Sequence, residues 1–143
     1  MKISGRALAQ AALGGFLVYA GVSHLTVARQ EFQAQVPSWF PADPDVVVLA
    51  SGAVEIGLGA ALLTAWHQPN RARVGMVAAA FFVAVFPGNI AQFTEHRDGF
   101  GLDTDTKRAV RLVFQPVLVG WALGATGAIG ATRASLRREK PQT

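Results

Sequence analysis

Apolar positions in this chain fall into four long runs, and the charged residues gather between them. The runs Ala7–Ala28, Val46–Trp66, Val74–Thr94 and Leu112–Thr132 contain no acidic or basic side chain except Glu55. The second run is 21 residues long. About 20 helical residues, at ~1.5 Å rise each, cross a hydrocarbon core of about 30 Å. A helix in a water-soluble protein carries a polar face repeating every third or fourth position, and these runs carry none. The pattern predicts an all-α, integral membrane four-helix bundle that occupies all 143 residues as one domain, with helices at about 5–28, 45–66, 72–94 and 106–132 and a frayed basic tail over 133–143. No internal repeat stands out.

The connections carry their own signals. Pro37, Pro41 and Pro44 surround Ser38-Trp39-Phe40 in the first connection, a proline density that forbids a regular helix. Aromatic side chains collect at headgroup level, so Pro37, Trp39, Phe40 and Pro41 read as a lid on the interface or as a simple anchor there. Pro87 and Pro116 fall inside predicted helices, where each removes a backbone donor and frees the carbonyl one turn earlier, at Val83 and Leu112. Gly52 and Gly59 in the second helix, and Gly120, Gly124 and Ala128 in the fourth, are small enough to let helix backbones approach. Asp103-Thr104-Asp105-Thr106 lacks the ligand spacing of a calcium loop and reads as the N-cap of the fourth helix.

Charge adds direction. With four crossings, Lys2, Arg6, Arg71, Arg73, Arg133, Arg137, Arg138 and Lys140 share one side, 8 basic residues against 5 on the other (Arg29, Arg97, Lys107, Arg108 and Arg111). Basic residues concentrate on the cytoplasmic side, which places both termini in the cytoplasm; the membrane expected is a bacterial plasma membrane. The basic tail then meets anionic headgroups, and despite the net charge of +4 nucleic acid is not an expected partner. Mean hydropathy is only +0.31 because the runs are rich in alanine and glycine and the connections are charged. The chain has no cysteine, which excludes disulfides, thiol redox chemistry and Cys-ligated metal sites. Val18-Tyr19-Ala20 has the small-residue form of a signal cleavage site, but the run continues apolar to Ala28 and suits a retained helix.

Glu55 is the most informative residue. A carboxylate near mid-bilayer costs on the order of 2.5–3.5 kcal/mol on insertion scales and needs a partner, a proton or a wet pocket. It lies about ten residues, or ~15 Å, below the outer end of its helix, with Ser51 one turn above. His24, beside Ser23, lies about a turn from the outer end of the first helix, with Tyr19 below. Asn89 and Gln92 share a face of the third helix, continued by His96, and Arg111 and Gln115 share a face of the fourth. These polar residues converge on the outer half, and the inner half reads as alanine, valine, leucine and glycine. The expected pocket is therefore lined by Glu55, His24, Ser51, Asn89, Gln92, Arg111 and Gln115. Structural roles remain open: Glu55 paired with Arg111 or His24, His24 bonded to a carbonyl, and Asn89 and Gln115 bonded between helices. No metal site and no catalytic residue is assigned.

The motifs Gly21-Val22-Ser23-His24-Leu25, Val36-Pro37-Ser38-Trp39-Phe40-Pro41, Ser51-Gly52-Ala53-Val54-Glu55-Ile56-Gly57-Leu58-Gly59 and Phe86-Pro87-Gly88-Asn89-Ile90, with Arg111, Gln115 and Trp121, resemble the DoxX-like family of small four-span membrane proteins over nearly the whole chain. The resemblance implies a helical bundle with those His, Glu, Asn and Gln positions as shared signatures, and an association with quinone-linked oxidoreductase complexes. Distant relatives act as assembly chaperones. The expected function is an accessory, non-catalytic redox subunit that holds a quinone or another lipid-like molecule. Glu55 and His24 would meet its head, Asn89 and Gln115 would orient it, and Arg111 would tune Glu55. A protein partner in a membrane complex, or a homo-oligomer, is expected in either case. The alternative is a scaffold or assembly chaperone without a small ligand.

Overall fold

In the computed structural model, which describes residues 3–138, the chain is helical throughout its ordered elements, with no strand among the described residues. Lys2, Lys140 and the tail beyond Arg138, all used in the charge argument, lie outside the described residues. Four helices, α1 (Gly5–Leu25), α3 (Pro44–Thr64), α4 (Asn70–Thr94) and α5 (Asp105–Thr126), are long and apolar enough to cross a membrane. Two shorter ones, α2 (Arg29–Phe32) and α6 (Ala128–Arg138), complete the chain.

Local chemistry sets the boundaries. Ser4 caps α1 by accepting from the Ala7 N–H at 3.1 Å. Asp43 caps α3 by accepting from the N–H groups of Asp45 and Val46, with Pro44 in the first turn where its missing donor costs nothing. Thr104 caps α5 through the Lys107 N–H at 3.2 Å, with Asp105 in its first turn. α1 stops at Leu25, three residues short of the expected end. There the Ser23 and Thr26 hydroxyls turn back onto the carbonyls of Tyr19 and Val22, and the Ser23 carbonyl accepts from both Thr26 and Ala28. Such back-bonding competes with helix continuation. The fourth span ends at Thr126 rather than Thr132, because Gly127 takes a left-handed conformation (φ 75°) and restarts the chain as α6. The basic segment from Arg133 to Arg138, expected to fray, is helical. α4 and α5 run unbroken through Pro87 and Pro116.

The long helices alternate in direction, with α1 against α3 and α4 against α5 along most of their lengths. Glycine permits the first pairing. A Cβ on Gly52 would stand 2.6 Å from the His24 Cβ and 2.9 Å from the Gly21 carbonyl oxygen, and one on Gly59 would stand 2.6 Å from the Gly14 oxygen. In the second pairing Gly75 makes room for the Thr126 side chain. Gly120 and Gly124 play no such part, since a Cβ on either meets nothing within 4 Å. The packed face of α5 is instead Ala122, Ala125 and Thr126. Leu13, Leu17, Leu62, Ala78, Phe82 and Ala122 form the core between the pairs, and Trp121 crosses from α5 to donate to the Ala9 carbonyl at 2.7 Å. At most 39% of the apolar window of any span is buried. Most apolar side chains therefore face outward, an arrangement suited to hydrocarbon rather than water.

The end where α1 begins and α5 finishes is not the apolar half expected from the sequence. Gln10, fully buried, donates to the carbonyls of Leu62 (2.7 Å) and Ala65 (3.0 Å) and accepts from Arg71 Nε at 2.6 Å. Arg71 also donates to the Ala125 carbonyl at 2.7 Å, and Gln68 to that of Thr126 at 2.9 Å. These side chains cap the exposed carbonyl ends of α3 and α5. No buried side-chain polar atom of this cluster lacks a partner.

At the opposite end the two long connections lock together. Arg97 donates to the carbonyls of Gln33 and Val36, and Glu31 accepts from the Phe100 N–H at 3.0 Å. Glu95 accepts from the Ser38 N–H (3.2 Å) and hydroxyl (2.7 Å), which hold its carboxyl below the ordinary range. Arg108, only 5% exposed, reaches Asp98, Asp105 and the Arg97 carbonyl.

Candidate functional site

Beneath those connections lies a partly open cavity of about 470 Å³ lined by residues of all four long helices. Six of the seven polar residues expected to converge line it: His24 from α1, Ser51 and Glu55 from α3, Asn89 from α4, and Arg111 and Gln115 from α5. The helix directions explain the meeting, because antiparallel neighbours bring the last third of α1 and α4 to the depth of the first half of α3 and α5. Gln92, the seventh, is 1% exposed but points elsewhere. It accepts from Gln35 at 3.3 Å and donates to the Arg97 carbonyl at 3.4 Å, so it ties the connections to α4. His96 does not extend the Asn89 face either. It lies past the end of α4 with φ 51° and pairs with Asp105 at 2.8 Å near the surface.

His24 and Glu55 meet at the centre. His24 Nδ1 stands 2.8 Å from Glu55 Oε2 and 3.0 Å from the Ala20 carbonyl oxygen. A ring N–H directs one hydrogen in the plane of the ring, and a carbonyl only accepts, so that hydrogen serves Ala20; Oε2 approaches the same nitrogen as a close ion-pair contact without a directed hydrogen bond. Oε2 is therefore buried beside a histidine yet without a directed donor. Of the two pairings open from the sequence, the structure forms the His24 contact, while Arg111 lines the same cavity and donates instead to Gln115 at 3.3 Å.

The α4–α5 wall is an ordered chain of amides. Gln115 Nε2 donates to the Phe82 carbonyl at 2.7 Å, one residue before the carbonyl expected to be freed by Pro87. A carbonyl only accepts, so this bond fixes which way the Gln115 amide faces. Its Oε1 then accepts from Asn89 Nδ2 at 3.2 Å and from Arg111. Asn89 in turn is left with Oδ1 unpaired, although the residue is 3% exposed. Among the described residues, Glu55 Oε2 and Asn89 Oδ1 are the buried side-chain polar atoms without a partner, and both belong to this cavity.

Aromatic rings close the top. The His24 ring stacks on Phe32 with centroids 3.3 Å apart, and Phe32 meets Phe100 edge-on at 4.5 Å. Both phenylalanines line the cavity. Sequence reasoning singled out neither, because they lie in separate connections that only the fold brings together. The lid residues expected from the sequence sit to one side. Pro37, Trp39 and Phe40 line an adjoining groove of about 250 Å³ that shares His24 and Ser51 with the cavity, and Pro41 lines neither. The exposed members of the cavity lining, Phe16, Tyr19, Val27 and Phe100, are apolar or aromatic. The mouth of the cavity is therefore apolar, bordered by α1 and by Val27 and Phe100.

A family model described as a domain of unknown function (DUF8561) matches residues 13–126, a span that contains every cavity residue named above. No curated protein matches the chain, and no solved structure matches it.

Proposed function

We propose that this chain, which belongs to the DUF8561 family, is a membrane-embedded binding subunit that holds one small amphipathic molecule. The observation that carries the reading is a cavity of about 470 Å³ containing two buried polar atoms on different helices that no directed hydrogen bond satisfies, one of them in close contact with His24. Its size lies within the ~300–1,000 Å³ of small-molecule sites, and an apolar lining with a few convergent polar groups is their usual composition. Buried polar atoms are rarely left unpaired, so these two await a partner.

On this reading the four spans form a bundle in a bacterial plasma membrane, with both termini cytoplasmic as the basic residues favour. The cavity then lies in the outer half, open to lipid. The DoxX-like resemblance through His24, Glu55, Asn89 and Gln115 supports a redox-associated role and a ligand of the quinone class. On this reading the subunit is accessory, and a partner or a bound cofactor carries the electrons. A scaffold or assembly role is the second reading. It is favoured by the open Gly120/Gly124 face and by Trp39, 68% exposed, which together give a partner somewhere to dock.

Native mass spectrometry of the protein extracted gently from its host membrane separates the two readings. A bound small molecule in the wild type that is depleted in Glu55→Gln supports the binding subunit. A stoichiometric protein partner with no small molecule, unchanged in Glu55→Gln, overturns it in favour of the scaffold.

A further inference from the structure

The site's hydrogen-bonding polarity is lopsided. Its most deeply buried donors are consumed within the wall: His24 Nδ1 on Ala20, Asn89 Nδ2 on Gln115 and Gln115 Nε2 on Phe82, with Arg111 Nη1 also on Gln115, while the half-buried Ser51 hydroxyl and the other Arg111 N–H groups stay free. What remains buried without a directed hydrogen bond is a carboxylate oxygen, in contact with His24, and an amide oxygen, both of which can receive a hydrogen from a ligand. A head that only accepts, such as a quinone, ketone or ester, leaves both unpaired. A head with hydroxyl groups satisfies them.

The remaining lining narrows the class. Phe16, Tyr19, Phe32, Phe82 and Phe100 surround the polar centre, and aromatic walls favour a flat ring packed by offset or edge contacts. Arg111 beside the same cavity disfavours a cationic head that Glu55 alone would attract. The mouth is apolar, which suits an apolar tail trailing outward. Resting on the binding-subunit reading above, we infer that the pocket selects a neutral hydroxylated ring with an apolar tail. Its hydroxyls donate to Glu55 Oε2 and Asn89 Oδ1, so that of a two-electron pair the site holds the hydroquinone in preference to the quinone.

Decylhydroquinone and decylbenzoquinone share one carbon skeleton and differ in whether the ring oxygens donate. Their binding to the full chain in lipid nanodiscs, measured anaerobically by calorimetry, tests the inference directly. One buried hydrogen bond is worth about tenfold in affinity, so the hydroquinone should bind at least ~10-fold more tightly. That preference should shrink toward parity in Asn89→Leu, where Gln115 keeps Arg111 as a donor. It should also shrink in Glu55→Gln, which serves if the first variant fails to fold. Equal or tighter binding of the quinone, or a preference unchanged in both variants, overturns the inference and leaves the binding reading standing. Failure of both probes to bind overturns both.

Discussion

Gln10 on α1 accepts a hydrogen bond from Arg71 on α4 at 2.6 Å while donating to two carbonyls at the end of α3. One side chain thus ties three helices together at the end opposite the cavity. Gln10→Leu keeps the volume and removes every bond. It leaves the Leu62 and Ala65 carbonyls and one face of the Arg71 guanidinium unpaired, and each buried unpaired group costs about 1–3 kcal/mol. Individual interhelical bonds in membranes average only about 0.6 kcal/mol, which pulls the sum down. A loss on the order of 2–3 kcal/mol is expected in reversible denaturation by sodium dodecyl sulfate. A loss below about 0.5 kcal/mol, within the range of ordinary surface substitutions, would show that the cluster does not hold the helices.

The glycines make a paired prediction because their surroundings differ. A methyl at Gly52 would meet the backbone of Gly21 and the Cβ of His24, neither of which can swing aside. Gly52→Ala should cost about 1–3 kcal/mol as overpacking and displace His24, weakening any ligand held beside Glu55. Gly120→Ala and Gly124→Ala meet nothing and gain helix propensity of up to about 1 kcal/mol. Denaturation midpoints should therefore fall for the first and hold or rise for the other two. If a partner occupies that open face of α5, the latter pair should instead lose the complex while the isolated chain stays stable.

What could be seen in the sequence was what a single helix reveals about itself. Glu55 stood out as the one charge in an apolar run, and helix directions plus rise per residue were enough to bring His24, Ser51, Asn89, Arg111 and Gln115 to a similar depth. Gln92 was assigned to the same face by spacing, yet its side chain follows the connections because Gln35 and the Arg97 carbonyl offer it partners. Gln10 escaped notice because an uncharged amide near a helix end barely dents a hydropathy pattern. Phe32 and Phe100 were invisible for another reason: they are 68 positions apart, and their contact depends on the Glu31 bond to the Phe100 backbone. The end of α5 was misplaced because a left-handed Gly127 reads, in a run rich in glycine, like any other.

The aromatic roof should govern how long a ligand stays. Phe100 is 39% exposed and meets Phe32 edge-on, and its backbone bond to Glu31 survives truncation of the ring, so its removal should have little effect on stability. Burying an aromatic side chain contributes about 1.5–3 kcal/mol when complete. Loss of a partly buried one over the ligand should cost roughly 1 kcal/mol, or about fivefold in affinity. In Phe100→Ala, decylhydroquinone should dissociate about fivefold faster, with denaturation midpoints nearly unchanged. An unaltered dissociation rate would place the exit elsewhere, along the Phe16–Tyr19 mouth.

The Ser38–Glu95 contact should make the Pro37 segment sensitive to acid. Two donors from Ser38 hold the Glu95 carboxyl below its ordinary value of 4.5, with Arg97 Nε 3.6 Å away acting in the same direction. A carboxyl whose folded value is depressed contributes stability that is complete above its unfolded value and is lost as pH falls through the folded one. The contact should therefore be intact from neutral pH down to about 4.5 and release below it. Trp39, next in sequence to Ser38, reports the change: its accessibility to acrylamide, taken as the difference from Trp39→Phe, should rise only in that acid range. Glu95→Gln retains an acceptor for Ser38 but no titrating group, so its quenching should be flat with pH. A wild-type curve that is equally flat, or a rise already complete at pH 6, would show that Glu95 does not hold the segment.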